Sequence, residues 1–114
     1  MEKSIFEKIL SKEIPSDIIY ETKRVFAIND INPVAPVHIL VIPKMKIETI
    51  NDIEDKDMGL IGEIVLTAKK LAFERRIQDS GYRLIWNTNG HGQQTVYHIH
   101  LHFLAGRKLS WPPG

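Results

Sequence analysis

The sequence predicts an α+β domain, with an antiparallel sheet of about five strands, one long helix and one short helix. Three patterns support this class. β-Branched and aromatic runs bounded by turn residues recur along the chain as strand signals. A stretch between Asp52 and Gln78 carries apolar residues at helical spacing. The run Tyr97-His98-Ile99-His100-Leu101-His102-Phe103-Leu104 alternates polar and apolar side chains, the signature of a half-buried strand. A chain of 114 residues suits one domain spanning residues 1–114 and is short for two.

At the start of the chain, Ser4 followed by Glu7 fits a capping box. Ile5, Phe6, Ile9 and Leu10 then recur at helical spacing until the Pro15 region ends a short amphipathic helix. Ile18 to Glu21 and Arg24 to Asn29 read as two strands joined by Thr22-Lys23, as in a hairpin. Asp30 to Pro36 is a loop, because Pro33 and Pro36 remove donors and push their predecessors toward extended backbone. Val37 to Ile42 is an apolar strand closed by Pro43. In the long helix, Met58, Ile61, Ile64, Val65, Ala68, Leu71 and Ala72 form the apolar stripe, with Lys69, Lys70, Arg75 and Arg76 between them. Gly81 marks the exit, Tyr82 to Trp86 is another strand, and Asn87 to Gly92 is a polar loop leading to the histidine strand. Strands in runs with the helices grouped between them suit a sheet covered on one face.

Composition excludes several function classes. Fifteen Lys and Arg against fourteen Asp and Glu leave a formal charge of +1, too little to hold a nucleic acid polymer by counterion release. A small phosphorylated ligand is compatible with that charge. Without cysteine there is no disulfide, no thiolate catalysis and no Cys-based metal site. The first residues lack the apolar core of a secretion signal, and no apolar run approaches the roughly 18 residues of a membrane span, so the expected setting is cytoplasmic, with no membrane partner.

Residues two apart on a strand lie roughly 6 to 7 Å apart. The alternation therefore predicts that His98, His100 and His102 share one face, while Tyr97, Ile99, Leu101 and Phe103 enter a core. Imidazole can act near neutral pH as nucleophile, base or ligand. One reading is metal binding, since a His-x-His pair plus a more distant His can make a zinc site with an open position. No acidic residue lies between Gly81 and Gly114, so a carboxylate ligand or orienting group must come from elsewhere in the chain. The other reading is covalent catalysis on phosphorus, in which one imidazole attacks and its neighbours orient it and bind phosphoryl oxygens. Gly92, Gln93, Gln94 and Thr95 place backbone, amide and hydroxyl donors just ahead of the imidazoles.

The run Gln94-Thr95-Val96-Tyr97-His98-Ile99-His100-Leu101-His102-Phe103-Leu104 resembles the signature of the histidine triad family, His-apolar-His-apolar-His-apolar-apolar, preceded by its Gln-Ser/Thr pair. Ser4-Ile5-Phe6 with Ile9, Ala27 to Pro33, and Ala35 to Lys44 extend the resemblance over nearly the whole chain. The ending Trp111-Pro112-Pro113-Gly114 is similar to the Hint branch, the histidine triad nucleotide-binding proteins. The fragile-histidine-triad dinucleotide hydrolases share the triad but are not expected to end this way. The galactose-1-phosphate uridylyltransferases carry Gln where this chain has His102.

The resemblance implies a HIT-like fold and a homodimer that hydrolyses purine nucleoside 5′-phosphoramidates, with AMP or GMP as the nucleotide. It implies that His100 is the nucleophile, that His98 orients it with His38 as a further relay member, and that His102 contacts phosphate. Gln94 and Thr95 would hold the phosphate and leaving group, with Asn87 nearby. Gln93, at a position where the pattern usually has Gly, would lie at the same phosphate contact. Asp30 would accept hydrogen bonds from the ribose hydroxyls, followed by Ile31, and Ile5, Phe6, Ile9 and Ile28 would wall the purine. The scheme requires no cofactor, and zinc belongs to the alternative metal-binding reading. Its rivals are a dinucleoside polyphosphate hydrolase and a nucleotide-binding or zinc-binding adaptor with little turnover.

Overall fold

The computed structural model describes residues 2–114. Its elements are α1 (Ile5–Leu10), β1 (Ile18–Glu21), β2 (Val25–Asn29), β3 (Val37–Pro43), α2 (Met58–Glu74), β4 (Arg83–Trp86) and β5 (Leu101–Ala105). The strands form one sheet in the order β1-β2-β3-β5-β4, every neighbouring pair antiparallel. Among the described residues no helix is long and apolar enough to cross a membrane.

The capping box at α1 forms as the sequence predicts, with Ser4 Oγ accepting the Glu7 N–H and the Glu7 carboxylate accepting the Ser4 N–H. Both helices then end on a residue other than glycine. Lys12 stands at φ 65° after α1 and Arg76 at φ 57° after α2. At each, the next N–H reaches back to a last-turn carbonyl, Glu13 N to Lys8 O at 2.9 Å and Ile77 N to Ala72 O at 2.8 Å, as in a Schellman motif. The long helix is thus shorter than the predicted stretch between Asp52 and Gln78, because Arg76 turns the chain at its C-terminal end where no Gly signals it. Ahead of it lie two short 3-10 turns, Ile50–Asp52, closed by a capping box between Thr49 and Asp52, and Asp55–Asp57, where the Asp57 carboxylate accepts the Glu54 N–H.

The sheet is covered on both faces, not on one. α2 lays Leu60, Ile64, Ala68, Leu71 and Ala72 on the side carrying Val25, Ala27, Ile39, Val41, Leu101 and Phe103. α1 sends Phe6 and Ile9 to the other side, against Phe26, Ile28, Leu40 and Ile42. Period-2 alternation along β2 and β3 supplies both sets, and a fully buried Phe or Ile contributes about 1.5 to 3 kcal/mol. Met58 and Val65, expected in the apolar stripe of α2, face outward.

The histidine strand is the largest correction. Only Leu101–Ala105 joins the ladder, pairing with β3 from Val41↔Leu101 to Val37↔Ala105. Residues 96–100 leave the sheet. Continued in register, the ladder would set Ile99 opposite Pro43, which has no N–H to offer. The Pro43 carbonyl instead accepts from the His98 ring, and Ile99 N donates to Ile47 O at 2.8 Å. Tyr97, expected in the core, is 44% exposed, whereas Ile99, Leu101 and Phe103 are buried as expected.

Candidate active site

β3 and β5 present His38 and His102 on the sheet face that α1 covers, and the irregular segment before β5 brings His100 beside them. The His100 and His102 ring centroids are 5.0 Å apart. Both rings line a cavity of about 230 Å³, with Thr95 at its rim. Its apolar wall comes from Ile5, Phe6, Ile9, Ile28, Ile31 and Leu40, and Asp30 lies at the same wall. A wider depression of about 720 Å³ adjoins it, sharing Ile9, Ile14, Pro15, Asn29, Asp30 and Ile31. Ile5 and Ile31 line the smaller cavity while 41% and 85% exposed, apolar surface that a bound ligand would cover.

Hydrogen-bond partners decide which nitrogen of each ring carries hydrogen, because a carbonyl can only accept and a backbone N–H can only donate. His100 Nδ1 lies 2.8 Å from the His98 carbonyl oxygen, so Nδ1 donates and Nε2 keeps a lone pair. Val34 N–H donates to His38 Nδ1 at 3.1 Å, so His38 carries its hydrogen on Nε2. That Nε2–H meets His102 Nδ1 at 2.9 Å, with an Asp30 carboxylate oxygen at 3.3 Å. His102 therefore accepts at Nδ1 and bears hydrogen on Nε2. The two cavity-lining rings thus offer opposite functions, a lone pair on His100 Nε2 and an N–H on His102 Nε2.

Burial lowers the pKa of His38, His98 and His100 below the ordinary imidazole value, and the pull of Asp30 on His38 and the carbonyl acceptors of His98 (Pro43 O) and His100 (His98 O) only partly offset it. His102 falls furthest, to about 4, through burial first and then through His100 and His38. A neutral imidazole can attack; an imidazolium cannot.

Nine of the residues singled out in the sequence line the cavity: His100, His102, Thr95, Asp30, Ile31, Ile5, Phe6, Ile9 and Ile28. His38 stands behind His102. His98 lies outside the cavity, fully buried, and holds His100 through its backbone carbonyl and not through its ring. Gln94 is buried with its amide already engaged: Oε1 accepts from Asn89 N at 2.9 Å, and Nε2 donates to Glu48 O at 2.7 Å and Val96 O at 3.0 Å. It acts as a clamp on the loop. Asn87 and Gln93 do not line the cavity either. Gln93 sits at φ 65°, the left-handed backbone that Gly adopts without strain, which explains the Gly of the family pattern. Gly92 before it admits no side chain, since a Cβ there would stand 2.7 Å from Thr88 N and O. Sequence reasoning missed Leu40, which alternation with His38 along β3 would have found. It also missed Ile14, Pro15 and Ser16, for which no local pattern gives a signal.

Asp30, His38 and His102 bring one potential ligand atom each within 4.8 Å of one another, a donor set suited to zinc. To serve as ligand atoms, His38 Nε2 would have to give up its hydrogen, so metal binding competes with the hydrogen bond to His102.

Comparison with known proteins gives a consistent picture. The sequence matches the HIT domain family over residues 11–109. A purine nucleoside phosphoramidase of Escherichia coli (strain K12) is 50% identical over 108 residues, 95% of this chain and 91% of that protein. A 14 kDa zinc-binding protein of Zea mays is 45% identical over 113 residues, 97% of this chain and 88% of that protein. The crystal structure of a HIT family hydrolase from Legionella pneumophila Philadelphia 1 is similar at TM-score 0.95 and 49% identity, over 98% of this chain and all of that one.

Proposed function

The chain belongs to the HIT domain family, and we propose that it is a purine nucleotide-binding hydrolase that cleaves the P–N bond of nucleoside 5′-phosphoramidates. The observation that carries this reading is the His100 Nδ1–H bond to the His98 carbonyl, which leaves the Nε2 lone pair of a cavity-lining ring free to attack phosphorus. In the first step His100 Nε2 bonds to the α-phosphorus as the P–N bond breaks, and the amine takes up one proton as it leaves. The nucleotidylated ring, with hydrogen still on Nδ1, is cationic, and the His98 carbonyl stabilises that charge. In the second step water attacks phosphorus, the His100 lone pair returns, and one proton is released, so the protons balance. The His102 Nε2–H and the Thr95 hydroxyl are donors for the non-bridging oxygens, and Asp30 is an acceptor for the ribose hydroxyls. The apolar wall suits a purine of AMP or GMP.

We further read the protein as a cytoplasmic homodimer. The exposed edge of β4 and the exposed Leu66, Phe73 and Trp111 support a second copy as the partner.

The test is hydrolysis of adenosine 5′-phosphoramidate with a chelator present, comparing the wild-type chain with His100→Ala. Turnover that collapses by about three orders of magnitude or more in a folded variant supports the nucleophile, and equal rates remove His100 from that role. The Asp30, His38 and His102 donor set favours a second reading, a zinc-binding adaptor with little turnover. Stoichiometric zinc in protein purified without added metal, lost on chelation together with the fold, would select it over the covalent scheme.

A further inference from the structure

The N-terminal helix and the histidine segment meet at Ser4. Its Oγ accepts the Glu7 N–H at 3.1 Å as the cap of α1, and the same oxygen lies 2.6 Å from His98 Nδ1, 94 positions along the chain. His98 Nε2 lies 2.7 Å from the Pro43 carbonyl, so that nitrogen carries the ring hydrogen and Nδ1 must accept. The Ser4 hydroxyl has one hydrogen to give and gives it there. The ring is fully buried. Among the described residues Ser4 is its only hydrogen-bond partner at Nδ1.

We propose that Ser4 is a positioning residue for His100, acting through His98. Residues 96–100 lie outside the sheet ladder and hang on a few bonds: the tertiary ones from Ile99 N to Ile47 O and from the His98 ring to Pro43 O, and the local one from Gln94 Nε2 to Val96 O. By donating to Nδ1, Ser4 selects the only tautomer of His98 that can hold Pro43. The His98 carbonyl then stands where it keeps hydrogen on His100 Nδ1 and the lone pair on Nε2. Without that donor, the buried nitrogen lacks a partner, and the ring can flip or move its hydrogen to Nδ1, releasing Pro43. The same link ties the nucleophile to the substrate wall, because α1 carries Ile5, Phe6 and Ile9, and the Phe6 ring packs edge-on against His98 and His100 with centroids 5.4 and 5.1 Å away.

The inference rests on His100 as nucleophile, and the test separates the two. Ser4→Asp retains an N-cap acceptor but has no hydrogen to donate, Ser4→Ala removes both functions, and Ser4→Thr keeps both. We expect kcat to fall about tenfold in Ser4→Ala and to recover in Ser4→Thr, with KM rising as well in Ser4→Ala, where the helix cap is also lost. In parallel, ¹⁵N spectra of the unliganded protein should show hydrogen on His98 Nε2 and His100 Nδ1 in the wild type. Both tautomers should become mixed in Ser4→Ala, and the Asp carboxylate should draw a second proton onto His98. Wild-type kcat in Ser4→Ala, or unchanged imidazole shifts in that variant, would overturn the proposal. Absence of turnover in the wild type would remove the nucleophile reading alone, since the spectra test the Ser4 link without substrate.

Discussion

Replacing His102 by Asn should flatten the dependence of folding stability on pH. Burial first, and then His100 and His38, hold folded His102 at about 4, below the ordinary 6.5. As pH falls through 6.5 the unfolded chain binds this proton, and the folded chain does so only near 4. Stability is therefore full above the unfolded value and is lost across the window from 6.5 down to about 4. Linkage between those two values gives a loss of about 2 kcal/mol between about pH 7 and about pH 5. The ring is only partly buried, and solvent screening cuts this to about 1 kcal/mol. In His102→Asn the amide oxygen can accept the His38 hydrogen as Nδ1 does, yet nothing there titrates. Urea unfolding of both proteins at matched pH values supplies the comparison, and carboxylate titration, common to the two, cancels in the difference. The wild type should lose about 1 kcal/mol more than the variant over this range. Equal losses would refute the claim that the tertiary environment holds His102 neutral.

Three further outcomes follow from the geometry. Gly92→Ala should cost about 1 to 3 kcal/mol by denaturant unfolding and should lower phosphoramidase activity, because its Cβ would press on Thr88 in the turn that Gln94 clamps; an unchanged midpoint would mean that the turn gives way freely. Arg76→Gly should stabilise the fold by about 0.5 kcal/mol by relieving the left-handed residue after α2. A lower melting temperature would contradict that account. Phe6→Ala should cost about 3 kcal/mol and raise KM more than it lowers kcat, since the ring is buried and walls the cavity; a large change in kcat alone would mean that Phe6 acts mainly on His100.

Local chemistry was enough to reveal most of the architecture. Ser4 and Glu7 specify the start of α1, Thr22-Lys23 the hairpin, Pro33 and Pro36 the loop before β3, and period-2 alternation the two faces of β2 and β3. The residue types at positions 94 to 104 also carried the family resemblance and, with it, His100 and His102 at the cavity. Tertiary contacts decided the rest. Alternation from Tyr97 to Leu104 reads as strand, yet Pro43, more than fifty residues earlier in the chain, offers no N–H to the ladder and takes the His98 ring instead, so the segment bends away at His100. Helix ends at Lys12 and Arg76 escaped the sequence because the positive φ falls on residues with no such preference. Which imidazole nitrogen bears hydrogen depends on Val34, Pro43, Ser4 and the His98 carbonyl, partners that no spacing along the chain brings together. Propensity and periodicity are local, so residue types alone marked most of the elements and the side chains able to do chemistry. Only the folded chain decided which nitrogen attacks, because a tautomer is chosen by the groups packed around the ring.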